Sequence, residues 1–185
     1  MNQKIIAILG LPGSGKTVTI DYLMKKYSWP KVYFGQIIFD EMKLRNLEIN
    51  EKNERLVREE LRQTFGLLHY AKQIIKIIEA MPNQPVILVE SLYSWDEYLC
   101  FKERFGQNFS TIAIYGSPKT RYQRLADRLE RPLLTPEEAQ SRDYAQIVNI
   151  TQAGPITMAN YSINNEGSFE ELYSDIEKVV SKIVI

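Results

Sequence analysis

The chain has 185 residues, of which 44% are apolar and 25% charged, as in one ordinary folded domain, and no shift in composition marks a second domain or a disordered tail. Lys plus Arg equals Asp plus Glu at 23 each, so no global positive field exists to draw in nucleic acid or a membrane surface, and any anion site must be local. The single Cys100 excludes an intramolecular disulfide, and the apolar run Ile5 to Leu11 is cut short by Pro12, Gly13 and Lys16, so neither a signal peptide nor a membrane span is expected and cytoplasmic residence is.

Short β-rich runs alternate with stretches of helical period, which predicts an α/β fold with a parallel sheet wrapped by helices. The first strand is Lys4 to Leu9, and the run after it, Gly10-Leu11-Pro12-Gly13-Ser14-Gly15-Lys16-Thr17, fits G-x-x-x-x-G-K-T between a strand and a helix. Glycines there let backbone N–H groups converge on phosphate oxygens, and the following helix adds a favourable dipole. The expected nucleotide contacts are Gly10, Pro12, Gly13, Ser14, Gly15, Lys16, Thr17 and Val18, with Lys16 bridging the β- and γ-phosphates of ATP and the Thr17 hydroxyl on magnesium.

A second strand, Lys31 to Phe34, precedes an insertion (about 36–81) too long for one crossover helix, read as three: Gln36 to Arg45, Glu51 to Thr64 and Leu67 to Ala80. Within it Arg55, Arg58 and Arg62 form a stripe interleaved with Glu54, Glu59 and Glu60, which reads first as a surface of ion pairs. The only histidine, His69, has no companion ligand and reads as packing.

The third strand, Pro85 to Val89, is followed by Glu90, which beside the phosphate loop is the candidate to hold magnesium directly or through water; the alternative is a strand-end acid facing solvent. Tyr93, Trp95 and Tyr98 have the chemistry to stack on a base, although aromatics at helix starts more often pack. After the fourth strand, Thr111 to Tyr115, a helix opening at Ser117-Pro118 carries Arg121, Arg124 and Arg128 on one face, with Arg131 just beyond. Such a stripe either pairs with Asp127 and Glu130 in solvent or closes over a triphosphate, and the phosphate loop in the same chain favours the second. The segment Leu129 to Pro136 has two prolines and little period, as a mobile lid does (about 128–136). Hydroxyl caps three residues before a Glu at Ser94, Thr135 and Ser168 mark further helix starts; the fifth strand is Tyr161 to Ile163, and Val179 to Ile185 is the inward face of a last helix.

The phosphate loop, the insertion after strand two, the run Ser117-Pro118-Lys119-Thr120-Arg121 and the ending Asn164-Asn165-Glu166-Gly167 together resemble adenylate-kinase-like nucleotide kinases, most of all dephospho-CoA kinase and a related group of P-loop proteins. The resemblance covers nearly the whole chain. It implies a three-layer P-loop fold with a five-stranded parallel sheet of order 2-3-1-4-5, a hinged helical acceptor insertion and a hinged lid. It also implies phosphate and transfer roles for Lys16, Arg124, Arg128 and Arg142, and an adenine-side position for Asn165 and Gly167, largely through backbone.

The sequence departs from that family on the acceptor side. Where relatives have an acceptor-gripping Arg after strand two this chain has Gln36 and, at the Arg position, Phe39; where they read Asp-Gly-x-Arg after strand three it has Glu90-Ser91-Leu92-Tyr93. Neither aromatic replaces a guanidinium fork, and Arg62 matches a basic position that would compensate. The expected protein is therefore a single-domain kinase, monomer or weak homodimer, moving the γ-phosphoryl of ATP with magnesium to a small nucleotide or nucleoside-like acceptor. A nucleotide-dependent regulatory protein or slow ATPase is the alternative, and polynucleotide end phosphorylation a third that the neutral charge disfavours.

Overall fold

The computed structural model describes residues 3–81, 84–127 and 133–184. Five strands, β1 (Lys4–Leu9), β2 (Lys31–Tyr33), β3 (Val86–Glu90), β4 (Phe109–Tyr115) and β5 (Tyr161–Asn164), form one sheet in the expected order β2-β3-β1-β4-β5, with every pairing parallel. The unbroken apolar character of β1 follows from its central place, since a strand covered on both faces has no side on which a polar residue meets water.

Alternate residues feed two cores. Ile6, Ile8, Val86 and Leu88 pack with residues of α1 (Lys16–Tyr27) and α9 (Phe169–Ile183). Ile5, Ala7, Ile87 and Val89 pack on the opposite face with α2 (Phe34–Leu44), α4 (His69–Ala80) and α5 (Trp95–Phe105). Between α2 and α4 runs α3 (Glu51–Phe65), which buries Val57 and Leu61 and leaves a charged face outward. In the C-terminal half follow α6 (Pro118–Asp127), α7 (Pro136–Asn149) and the short α8 (Ala153–Thr157). Among the described residues no helix is long and apolar enough to cross a membrane.

The three hydroxyl caps form reciprocal capping boxes, Ser94 with Glu97, Thr135 with Glu138 and Ser168 with Glu171. Strand two ends one residue earlier than its composition predicts: Tyr33 is its last paired residue, opposite Glu90, and Phe34 opens α2 with its ring 5.8 Å from Phe101 in the core. Leu67 and Leu68 lie outside α4, because Gly66 at φ 86° ends α3 and the next turn is a bend closed by His69 N–H to the Gly66 carbonyl. The 3-10 turn Gly106–Asn108 and α8 carry no periodic signal and were not expected. Of the expected lid, residues 128–132 lie outside the described residues, and Pro136 already belongs to α7, at its N-terminal turn.

The loop between β1 and α1 is braced from distant parts of the chain. Arg121 of α6, 3% exposed, donates from Nη1 to the Pro12 carbonyl at 3.0 Å and from Nε to Gly116 at 2.9 Å. Its remaining capacity goes to Asp143 of α7, in a two-pronged ion pair of 3.0 and 2.5 Å with side-chain exposures of 3% and 4%. Tyr122 donates to the same carboxylate at 3.1 Å. Arg121 is thus neither solvated nor free to face a phosphate, which corrects the reading of Arg121, Arg124 and Arg128 as one working stripe.

Removing one partner of a buried pair strands the other charge without water. Asp143→Ala is expected to lower unfolding free energy by about 3 to 5 kcal/mol. Glu79→Ala, which breaks a pair with Arg104 that is exposed on both sides, is expected to cost about 1 kcal/mol or less. Urea unfolding of the two variants against the parent measures both.

Candidate active site

The phosphate loop takes its shape from positions where only glycine fits. Gly13 and Gly15 sit at φ 78° and 102°, and an added Cβ would fall 2.6 Å from the Arg121 carbonyl oxygen at the first and 2.3 Å from Asn165 Nδ2 at the second. Gly10 lies at the end of β1, Pro12 offers its carbonyl to Arg121, Ser14 is buried, and Val18 packs against the α1-side core. The N-cap of α1 is Gly15, with no side-chain cap and no acidic residue in the first turn, so the helix presents unblocked N–H groups and its positive end to an anion.

Lys16 folds back to donate to the Leu11 carbonyl at 3.0 Å. Burial, reinforced by Arg142 and partly offset by Glu90, pulls its ammonium down to about 7. A lysine held at such cost is relieved by a multiply charged anion arriving beside it.

On the far side of the loop, Thr17 donates its hydroxyl to Glu90 Oε1 at 3.3 Å. Lys31 of β2 takes the other oxygen, Nζ to Oε2 at 2.8 Å, with side-chain exposures of 31% and 9%. Glu90 is therefore not a solvated strand-end acid. One hydroxyl and one carboxylate are hard oxygen donors of the kind magnesium takes, and the described residues contain no group of three or more His, Cys, Asp or Glu able to cage a metal alone. That donor set fits an ion that keeps most of its shell for phosphate and water.

A further cation, Arg142, acts on this region. Arg142, next to Asp143 on α7, is half-buried, forms no hydrogen bond or ion pair among the described residues, and acts electrostatically on both Lys16 and Tyr93. Arg124 on α6 has a buried Nη1 with no partner and lies within the field of Glu166. The expected third cation, Arg128, lies outside the described residues.

At the end of β5, Asn165 is 3% exposed and its Nδ2 donates to the Ser14 carbonyl at 2.8 Å. Its side chain is a brace for the loop, a role the sequence did not suggest. Gly167 allows Glu171 to approach, since an added Cβ would lie 1.9 Å from Glu171 Oε2. Asn165 and Gly167 border an open groove of about 790 Å³ shared with Asn164, Glu166 and Asp175. Glu166 accepts from the Ser117 N–H and the Thr120 hydroxyl at the start of α6; the Thr120 contact foremost, then that N–H, holds its carboxyl below the usual range.

The four expected acceptor residues do not converge as a set. Gln36 is exposed and bonds Asp40 at 2.8 Å, and Phe39 tilts against Tyr33 at 6.2 Å; both line a groove of about 530 Å³ with Lys43, Leu47 and Ile49. Tyr93 donates to Ser91 Oγ at 2.9 Å, and burial raises its phenol above the ordinary value. Ser91 itself holds φ 68°, a strained value for a serine at the end of a central strand. Arg62 is engaged elsewhere: it lies 5.5 Å over the Tyr70 ring and 3.8 Å from Glu97 Oε1, a carboxylate only 2% exposed whose other oxygen caps α5. It is thus not a free replacement for the missing clamp. Arg55 and Arg58 pair with Glu59 and Glu54 along their own helix, as the surface reading predicted. Trp95 and Tyr98 stack on each other at 5.1 Å and His69 on Phe65 at 4.7 Å, so these rings pack.

Sequence reasoning missed Lys31, Glu97, Gln152 and the side-chain role of Asn165. Lys31 had a usable signal, because it stands two residues before Tyr33 in β2 as Leu88 stands two before Glu90 in β3, and parallel register puts those pairs side by side. Gln152 had none: it is buried in the turn before α8 and donates to the Gly10 carbonyl at 3.0 Å across 142 residues of chain.

The AAA domain model matches residues 6–145. A UPF0200 protein of Thermococcus kodakarensis is 30% identical over 184 residues, covering 97% of this chain and 98% of the relative. Among solved structures, TT1252 from Thermus thermophilus aligns with a TM-score of 0.63 at 19% identity over 99% of both chains. Shikimate kinase from Bacteroides thetaiotaomicron aligns at 0.62 and 16% identity over 98% of this chain and 99% of that one. At such identities the structures establish a shared P-loop kinase-like fold, not a shared reaction. By the extent of the domain match and the full-length likeness to its relative, the chain belongs to the AAA domain family and to the UPF0200 proteins.

Proposed function

We propose that the protein is a kinase that transfers the γ-phosphoryl of magnesium-bound ATP to a hydroxyl of a small, nucleoside-like acceptor without a reacting-end phosphate monoester. The observation that supports this most is the approach of Arg142, which has no partner among the described residues, to Lys16 on one open phosphate loop. The loop N–H groups would hold the phosphates, Lys16 would exchange the Leu11 carbonyl for phosphate oxygens, and Arg142 would meet charge that grows as the group moves. The acceptor oxygen would bond the γ-phosphorus as the bond to the bridging oxygen breaks, ADP would leave with that electron pair, and the hydroxyl proton would pass to water. Thr17 and Glu90 would hold magnesium, which supplies charge neutralisation at the phosphates. Shikimate kinase shares the fold, which is consistent with phosphoryl transfer to a small molecule. The adenylate-kinase-like plan of the sequence accounts for the donor side, including the groove beside Asn165 and Gly167 as the base position.

A second reading, a slow ATPase or nucleotide-dependent regulator, is favoured by one observation: Arg62 lies 3.8 Å from Glu97, and Phe39 and Tyr93 offer no charge to an acceptor. ADP release from magnesium-ATP, assayed with a panel of hydroxyl acceptors against a no-acceptor control, separates the two.

AMP, CMP, GMP and UMP are expected to be turned over poorly or not at all, because each lost charge-assisted contact to a phosphate is worth roughly 1.5 to 3 kcal/mol. Robust turnover of any of them with a KM below about a millimolar would contradict the acceptor reading.

Arg142→Ala is expected to lower kcat by about two to three decades while nucleotide affinity changes less than tenfold, as for a contact strongest in the transition state. Equal losses in kcat and affinity would make Arg142 a ground-state ligand.

Lys16 supplies a pH signature. In the free protein it titrates at about 7, and phosphates raise that value, so at pH 8 binding ADP is expected to take up nearly one proton. Affinity then falls as pH rises above 7, by up to about tenfold per unit. Calorimetry in buffers of different ionisation enthalpy measures the uptake, and Lys16→Met is expected to abolish it.

A further inference from the structure

The geometry points to Lys31 as a tethered cation that competes with the divalent metal for Glu90, so that metal enters the site only with a nucleotide able to displace the lysine. This inference rests on the magnesium-nucleotide reading of the site.

Glu90 is buried at 7% exposure, and both its oxygens are committed: Oε1 accepts from Thr17 at 3.3 Å and Oε2 from Lys31 at 2.8 Å. A buried carboxylate is costly to leave unpaired, and Lys31 satisfies it from the neighbouring strand. Among the described residues no group of three or more acidic or metal-ligating side chains is present to cage a metal here. The local charges besides Glu90 and the Arg121-bound Asp143 are positive, namely Lys31 and Arg142, joined by Lys16 where it is protonated. A bare divalent cation therefore meets a repulsive site whose one useful anion is already held.

A metal-nucleotide complex changes that balance, because its phosphates supply the negative charge that the protein lacks and draw Lys16 off the Leu11 carbonyl. Lys31 is 31% exposed, sits on the edge strand, and has a flexible four-carbon stem, so it can yield the Oε2 position and return to water. The pair thus acts as a built-in cation exchange: the carboxylate is never left bare, and the metal is admitted with its nucleotide.

The test is a double-mutant cycle on the affinity of Mn²⁺ for the ADP-bound full chain, read by the loss of the free-ion electron paramagnetic resonance signal. Lys31→Met is expected to tighten Mn²⁺ binding at least threefold when Glu90 is present and to have no effect in the Glu90→Gln background. Tightening of equal size in both backgrounds would reduce Lys31 to a general field effect and overturn the proposal, as would no change in either. Circular dichroism of each variant confirms folding, and Lys31→Gln serves as a second variant if the methionine form does not fold. Failure of the parent protein to bind ADP at all would refute the nucleotide reading; ADP binding with additive mutational effects would refute only the role of Lys31.

Discussion

A loop that turns its N–H groups inward toward an anion must turn carbonyls outward, and buried carbonyls need donors. Four of them are satisfied here by side chains from four places: Gly10 by Gln152, Leu11 by Lys16, Pro12 by Arg121 and Ser14 by Asn165. Three of those donors come from residue 121 onward, so the phosphate loop is finished only when α6, the α7–α8 turn and the end of β5 have docked. The Lys16 contact is the exception, a bond within the loop that a phosphate can replace. The rigid braces and the exchangeable one together give a cradle that keeps its shape while its one mobile cation changes partner.

The same docking sets the reactive geometry. Asp143 pins α7 to Arg121, and the next residue back, Arg142, is thereby carried toward Lys16 without a partner among the described residues. Beside the phosphate loop, then, Arg142 has no partner among the described residues, whereas the polar groups of the proposed acceptor side are engaged: Arg62 lies near Glu97, Gln36 bonds Asp40, and the Tyr93 hydroxyl bonds Ser91. This asymmetry is the physical basis for assigning a phosphoryl donor of high charge and an acceptor of low charge. It also explains why a P-loop kinase-like fold shared with shikimate kinase does not carry an acceptor identity with it.

Much of the fold was legible because local signals repeat. Unbroken apolar runs gave the central strands, three capping boxes gave helix starts to the residue, and G-x-x-x-x-G-K-T placed the loop between strand and helix. What failed were features decided by long-range geometry. Arg121 and Arg124 are three residues apart and look alike in sequence, yet one is locked in a buried pair and the other keeps a free guanidinium nitrogen, because only the first faces Asp143. Arg62 looked like a spare phosphate clamp until α5 brought Glu97 beneath it. Asn165 was given by resemblance a backbone role beside the base, and nothing local showed that its side chain also reaches back across 151 residues to Ser14. Periodicity reports which face a residue occupies; it does not report what that face meets.

The central claim is that the backbone N–H groups of the loop converge on phosphate while its carbonyls stay braced. The direct measurement is an amide chemical-shift titration of the ¹⁵N-labelled chain with magnesium-ADP. The account predicts that the largest shifts fall on Gly13, Gly15, Lys16 and Thr17, with the side-chain amide signals of Gln152 and Asn165 nearly unmoved because their bonds to Gly10 and Ser14 persist. Shifts confined to the acceptor insertion or to α9, with the loop amides unchanged at saturation, would contradict it.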